Sequence, residues 1–318
     1  MKIANKPFSG KVLFVCSAAK KGHCTEAIAE QARGLKKRGA DVTFFYVEES
    51  GFRGYLKGVF RLRRFLKQHY FDVVHAHYGL SAIMASLSGA WPLVVSLMGS
   101  DVFGSRWLFR IVKVYSEFFW PCVIVKSDLM FRRLGVGHAK IIPNGVDLSL
   151  FREISKEEAR RKLGVSDKKI VLWPANPLRE VKNAALAREV MRLMNGGEVE
   201  LKIIFDVPIE LMPWYYNAAD AVLLTSRWEG SPNVVKEALG CNVPVISTPV
   251  GDVAYWLEGV DGCEICQPDA LSIADALKRV LRSKSRIDGR QRIESLDIDK
   301  ISDLLLYQYA GISSAIKG

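Results

Sequence analysis

The stretch DAVLLTSRWEGSPNVVKEALG, residues 220–240, carries most of the reading of this chain. Its opening, DAVLLTS, is a short apolar run of the kind that buried parallel strands show. Ser231 is suited to cap a helix and Pro232 to stand in its first position, so a strand gives way to a helix through Glu229 and Gly230. That passage puts the loop at the carboxyl end of a strand, where open α/β sheets bind ligands. The N–H groups of Asn233, Val234 and Val235 then point out of the helix start and form a ready phosphate site. Glu229 falls in the loop and Glu237 inside the helix. One carboxylate can reach over the phosphate site while the other reaches hydroxyls on its far side.

The same rhythm runs outward in both directions. Strand-like runs at 12–16, 42–47, 72–77, 92–97 and 121–127 alternate with helical sequence, and the segment KIIPNGVD at 140–147 ends that series. A helical pattern from about His23 to Arg38 is closed by Gly39. A second series follows at 168–174, 199–205, 220–226 and 243–248. Two successive βα runs predict an α/β fold of two doubly wound Rossmann-like domains facing each other across a cleft. The expected division is 1–148 and 149–298, with a C-terminal helix at 299–318 packing back on the first domain. Ser155 and Glu158 have the spacing of a capping box at the start of the second domain.

Composition bounds the function. At 318 residues, 49% hydrophobic and 25% charged, the chain belongs to the soluble globular class, with no run long enough to span a membrane. Lysines at 2, 6, 11 and 20 leave no signal-peptide pattern, and six scattered cysteines suit a reducing compartment, so the expected location is cytoplasmic. Residues 1–150 hold 22 Lys and Arg against 10 Asp and Glu, a net of +12, while the remainder holds 23 against 24. The whole basic excess lies in the first half, which therefore suits a polyanionic partner.

The motif EGSPNVVKEA at 229–238, with two glutamates in that strand–loop–helix setting, resembles the signature of the retaining glycosyltransferases of family 4, which have the two-domain GT-B fold. VPVISTPVGDV at 243–253, PNGVD at 143–147, HAHYGLSA at 75–82 and LMGSDV at 97–102 resemble further segments of that family, in the same order. The resemblance implies that the N-terminal domain binds an acceptor and the C-terminal domain a nucleotide-diphosphate sugar. Glu237 would hold the ribose hydroxyls and Glu229 would sit by the donor sugar. The backbone of Gly230, Ser231, Pro232, Asn233 and Val234 would lie along the sugar and diphosphate. Arg179 and Lys182 would face the diphosphate, and His77, Gly99 and Asp101 the acceptor, with His77 next to the reacting groups. Three departures stand out: Asn176 where many members have arginine, Met98 where many have histidine, and a first loop, SAAKKGHC at 17–24, whose only glycine is Gly22. The implied reaction is transfer with retention, in which the donor phosphate takes the acceptor proton on the same face.

No cofactor is expected, and no metal, since the lone Asp-x-Asp, Asp297 and Asp299, falls outside the expected site. Cys263 and Cys266 form a C-x-x-C with no second ligand pair, so they read as packing residues beside a strand. His77 suits a structural role as well as a functional one. Residues 52–70 alternate basic and apolar side chains at helical spacing. They fit either an amphipathic helix on an anionic membrane surface or a core helix with a solvated basic face. The expected partners are a nucleotide sugar, a sugar or lipid-linked acceptor, and that membrane surface, at which the protein would be peripheral; nucleic acid is not expected, since no recognisable motif accompanies the charge. The alternative readings are a nucleotide-sugar epimerase or phosphorylase of the same fold, and a basic nucleic-acid-binding protein.

Overall fold

Continuous apolar runs such as Val12–Cys16 must be covered on both faces, which requires helices above and below a sheet. A computed structural model describes residues 8–18, 24–48, 51–165, 167–194, 197–283 and 286–317, and this architecture occurs in it twice. The chain divides into two units, Met1–Gly145 with Ile298–Gly318, and Val146–Asp297. Gly22 and His23 lie outside the described residues.

The first unit runs β1 (Lys11–Ser17), α1 (Glu26–Lys37), β2 (Asp41–Val47), α2 (Gly51–Gln68), β3 (Val73–His77), α3 (Gly79–Leu87), β4 (Leu93–Ser96), α4 (Ser100–Phe103), α5 (Arg106–Phe118), β5 (Cys122–Val125), α6 (Asp128–Leu134) and β6 (Lys140–Ile141). Its sheet has the order β2-β1-β3-β4-β5-β6, all parallel. One face of the sheet packs on α2, α3 and α5 through Leu13, Val15, Val74, Val95, Leu62 and Val112. The second unit runs α7 (Lys156–Leu163), β7 (Lys169–Trp173), α8 (Ala184–Leu193), β8 (Val199–Ile203), α9 (Met212–Ala218), β9 (Ala221–Leu224), α10 (Asn233–Gly240), β10 (Val245–Ser247), α11 (Val253–Leu257), β11 (Glu264–Ile265) and α12 (Ala270–Arg282). Its order, β11-β10-β9-β7-β8, is the same winding. The Ser155 hydroxyl caps α7 by accepting from the Glu158 N–H, as the capping-box spacing predicts. Strand β11 lies between Cys263 and Cys266. Burial raises both thiols to about 11, and the Cys263 sulfur accepts from the Val245 N–H.

Helix α13 (Ile298–Lys317) belongs to the first unit and packs on α1 and β3. Asp299, one half of the Asp-x-Asp, is clamped there by Lys37 Nζ at 3.1 Å, and its carbonyl accepts from Arg38 Nε. Where α1 meets α13 the approach is too close for a side chain, because a Cβ at Gly34 would run into Ser302 Oγ and Ile298 Cγ1. Ser302 is itself buried, with its hydroxyl bonded to the Ile298 carbonyl, so it cannot swing aside without losing that bond. Gly34→Val should therefore destabilise the protein by about 1–3 kcal/mol, the usual cost of overpacking. A urea titration followed by far-UV circular dichroism reads this; an unchanged midpoint would mean that α13 is loosely seated.

Candidate active site

In the second unit β7 and β9 are neighbours, although β8 separates them in sequence. From this pair the chain leaves toward opposite edges of the sheet, and the carboxyl ends of such strands frame a crevice. Lys182 lies in a short 3₁₀ turn, Glu180–Lys182, after β7. Glu229 lies in the loop after β9. Lys182 Nζ and Glu229 Oε1 meet at 2.5 Å, with side chains only 15% and 16% exposed. Ser226 donates to the same oxygen at 2.8 Å. The two loops are stitched together behind this pair. Trp173 Nε1 donates to Thr225 Oγ1, which donates on to the Lys182 carbonyl, and the Arg227 N–H bonds the Val181 carbonyl.

Helix α10 starts at Asn233, one position later than its sequence suggests. Ser231 is not the cap. Its hydroxyl donates to Asp252 Oδ2 at 2.7 Å, and Pro232 takes the N-cap position, which leaves the helix start without a side-chain cap. The Val235 N–H, expected to point outward, is taken by the Pro232 carbonyl. Trp256 Nε1 holds the same Asp252 oxygen at 2.9 Å. Gly251, at a φ of 56°, lies so close that a Cβ would sit 2.9 Å from the Gly230 carbonyl, so the loops after β9 and β10 touch backbone to backbone. Glu237 stands on the second turn of α10, where the buried Tyr216 hydroxyl donates to its Oε2 at 2.6 Å. The Tyr216 phenol is pushed well above its ordinary range by burial and by the Glu237 charge, so it remains a donor.

The structure thus brings Lys182, Glu229, Glu237 and the Gly230–Val234 backbone to one end of one sheet. Arg179 is exposed on the same turn as Lys182, and its side chain has no partner among the described residues. Asn176, which stands where many family members carry arginine, accepts from the Leu178 N–H and shapes that turn. Ser226 is legible in hindsight from its place at a strand end, three residues before Glu229. Tyr216 and Asp252 come from other parts of the chain, and no local pattern points to them.

The acceptor-side candidates belong to the first unit, around β3 and β4. Asp101 is fully buried, and its oxygens accept from the N–H groups of Gly79, Met98 and Gly99. This carboxylate is turned inward and organises the loops after β3 and β4, so it offers no open oxygen to an acceptor. Burial raises its pKa, and those three amides work against the rise. Gly99 has a φ of 111°, which suits only glycine at that bend. His77 ends β3, is 1% exposed, and stacks on His75 and Phe14 at ring-centroid distances of 4.2 and 4.6 Å. Neither of its ring nitrogens has a hydrogen-bond partner among the described residues. His75 is partnered by Tyr309 of α13 at 2.6 Å and by Ser96 at 2.9 Å, and buried Lys126 donates to the same Ser96. Desolvation first, then nearby positive charge, holds both imidazoles well below their usual pKa. The described residues hold no cluster of three or more His, Cys, Asp or Glu that suits a metal ion.

Comparison with known proteins agrees with this geometry. Residues 161–283 match the family described as glycosyl transferases group 1, and residues 19–150 match glycosyltransferase family 4. A Bacillus subtilis (strain 168) protein named as a teichuronic acid biosynthesis glycosyltransferase, TuaC, is 30% identical over 238 residues. That similarity takes in 66% of this chain, and the chain spans 61% of that relative's length. An Escherichia coli protein named UDP-Gal:alpha-D-GlcNAc-diphosphoundecaprenol alpha-1,3-galactosyltransferase is 28% identical over 276 residues, 72% of this chain and 71% of the relative. Among solved structures, sucrose-phosphate synthase from Thermosynechococcus elongatus superposes with a TM-score of 0.79, at 18% identity, over 96% of this chain and 99% of the other. Such structural likeness identifies the fold as GT-B.

The buried histidines have a measurable consequence. Both stay neutral in the folded protein and can take up protons on unfolding, so the unfolded state binds more protons, and stability falls as pH drops below about 6.5. Denaturation midpoints between about pH 7.5 and about pH 5 should fall less steeply in His77→Asn than in the parent chain. Parallel slopes would show that His77 does not stay neutral.

Proposed function

The chain belongs to glycosyltransferase family 4, the group 1 glycosyl transferases, and from that premise we propose that it moves a sugar from a nucleoside-diphosphate sugar to an acceptor hydroxyl with retention at the anomeric carbon. The observation that carries the reading is the Lys182–Glu229 pair, set beside the uncapped start of α10 at the β7–β9 crevice. A departing nucleoside diphosphate gathers negative charge, and an ammonium group held in a fixed position stabilises that charge without reorganising. Lys182 is that group. Glu229 neutralises it in the free protein and faces the donor sugar in the complex. Glu237, its carboxylate oriented by Tyr216, takes the ribose hydroxyls. His77 hydrogen-bonds the acceptor as a neutral ring, and retention follows from attack on the face that the diphosphate leaves. No metal enters this scheme, because Lys182 and backbone N–H groups carry the phosphate charge.

Uridine diphosphate is the first donor nucleotide to test, since the Escherichia coli relative is named for a UDP-sugar and a polyprenyl-diphosphate-linked acceptor. A lipid-linked acceptor also suits α2, which has no acidic residue. Its Leu62 face packs on the core, while Lys57, Arg61, Arg63, Arg64 and Lys67 are exposed together with Leu56 at 50% and Phe60 at 68%. Basic and apolar side chains on one helix face fit an anionic lipid surface and a peripheral, cytoplasmic-face location.

Three measurements test these assignments. Calorimetric titration with uridine diphosphate should show affinity reduced about ten- to a hundredfold in Glu237→Ala, from the loss of charged hydrogen bonds. Unchanged affinity would remove the ribose role. Lys182→Ala should lower turnover about a hundredfold or more while lowering donor affinity far less, the mark of a contact that strengthens in the transition state. Equal losses in both would make Lys182 a ground-state binding group only. Sedimentation with vesicles rich in phosphatidylglycerol should carry the parent chain down but leave Phe60→Ser/Arg63→Glu/Arg64→Glu in solution. Equal binding of both chains would place the membrane contact elsewhere.

A further inference from the structure

Helix α5 buries one apolar side and leaves another in water. Leu108 and Val112 are buried in the core of the first unit. Trp107, Ile111, Val114 and Phe118 recur at steps of four and three residues and form a second stripe. Val112 packs on Gly79 of α3, and Lys113 Nζ lies against Gly135, just after α6. At about 100° per residue the second stripe lies opposite these two supports, on the outer surface. Trp107 is 69% exposed and Phe118 75%. Helices α3 and α2 continue this surface, since α3 packs on both α2 and α5. In α3 the outer residues Leu80, Ile83 and Leu87 again recur at three and four, and the helix holds no charged residue. In α2, Leu56 and Phe60 stand opposite buried Leu62.

The charge on this layer is one-sided. Helices α2, α3 and α5 together contain nine Lys and Arg against a single acid, Glu117. Of the nine, Arg61 is paired with Glu48, just after β2. Arg106, Arg110 and Lys113 are exposed and each precedes a member of the apolar stripe, so a basic line borders it. The other face of the sheet differs, because Lys37 and Arg38 at the end of α1 are met by Asp299 and Asp303 of α13. An isolated apolar side chain on a surface is ordinary, but a contiguous set rimmed by one sign of charge marks an interaction face. A second copy of the chain would set like charge against like charge, and nucleic acid would leave the apolar stripe in water. An anionic bilayer satisfies both, with phosphates for the basic line and the acyl boundary for the aromatic rings.

We propose that the α2–α3–α5 layer is a docking face for an anionic phospholipid bilayer, with Trp107, Val114 and Phe118 of α5 as its hydrophobic anchor. This docking face extends, and rests on, the lipid-surface reading of α2, to which it adds a second helix and an uncharged centre. Bulky apolar side chains placed below the headgroups hold against salt, whereas contacts made by exposed charges are screened. Trp107 stands in the first turn of α5 and Leu80 in the first turn of α3, so both lie at the end of the layer where β3 reaches His77. Docking therefore brings the headgroups alongside the carboxyl end of β3. An amphiphilic acceptor then meets that end of the sheet while its acyl chains stay in the bilayer.

The test uses the full chain with vesicles of phosphatidylglycerol and phosphatidylcholine, and needs neither donor nor acceptor. The parent chain should sediment with phosphatidylglycerol-rich vesicles and keep part of that binding at about 0.5 M salt, where exposed charges are screened within roughly 4 Å. Trp107→Ser/Phe118→Ser should lower the partition coefficient at least about tenfold and abolish the salt-resistant part. Both positions are exposed, so the variant should keep the circular dichroism spectrum of the parent. Lipids brominated along the acyl chain should quench the tryptophan fluorescence of the parent, and Trp107→Phe should remove most of that quenching while still binding. Vesicle binding without quenching, or an unchanged partition coefficient in the double variant, would overturn the anchor and leave the charge-based reading of α2 standing. A parent chain that stays in solution with every vesicle, or that dimerises through Trp107 and Phe118 instead, would overturn both. Transfer to a soluble acceptor is assayed separately, so a failure of the transferase reading leaves the vesicle result intact.

Discussion

Helices on opposite faces of a parallel sheet require two neighbouring strands to hand the chain on in opposite directions, and no single connection then crosses their carboxyl ends. In both units this occurs beside the first strand, at β1 and β3 and again at β7 and β9. Each unit can therefore hold polar groups against a rigid edge without burying a loop backbone that has no partners. The second unit uses the edge for charge. Lys182 hangs from the β7 turn and Glu229 from the β9 loop, and hydrogen bonds through Thr225, Trp173 and Arg227 fix these two supports together. Adjustment of either loop is limited by the other.

An ion pair that is mostly withdrawn from water gains stability only when its geometry and secondary hydrogen bonds offset desolvation. Here Ser226 supplies a further donor to the Glu229 oxygen that Lys182 holds. The pair contributes less to the stability of the sheet than to the placement of two charged groups before any ligand arrives. The same logic extends along α10. Tyr216 sets the direction of Glu237, and Asp252 sets Ser231 and, through Trp256, the neighbouring α11. A site prepared in this way loses little side-chain entropy when it is filled, which is how preorganisation raises both affinity and rate.

The parts of this arrangement that can be read in the sequence are the local ones. β-branched runs mark the strands because burial on both faces demands them, and Glu229 and Glu237 are visible because one strand–loop–helix passage contains both. Ser231 misleads for a physical reason. A serine before a proline and a helix can accept or donate, and here it donates to Asp252, which comes from the turn between β10 and α11. The surroundings of Asp101, at the start of α4, are likewise not local, since amides from the ends of β3 and β4 converge on its carboxylate. The two-residue strand β11 is too short to carry any alternation, and the pairing of α13 with α1 depends on Gly34 and Ser302, far apart in the chain.

The two crevices differ in the kind of polar group they hold, and this bears on what each can do. Charge dominates beside β7 and β9, where Lys182 and Glu229 meet. Beside β1 and β3 the ring at the strand end is neutral, kept so by burial and by Lys126. A neutral imidazole carries one N–H and one lone pair, so it can give one hydrogen bond and accept another but cannot supply a second proton. On the proposed reading this suits a hydroxyl acceptor whose proton goes elsewhere. On that reading a neutral ring orients the hydroxyl and leaves its proton to another base. His75 supports that ring by stacking and is itself fixed at both nitrogens, to Ser96 of β4 and Tyr309 of α13. The C-terminal helix thus reaches the end of β3 through one buried hydroxyl, and its packing on the first unit becomes a condition for the orientation of His77.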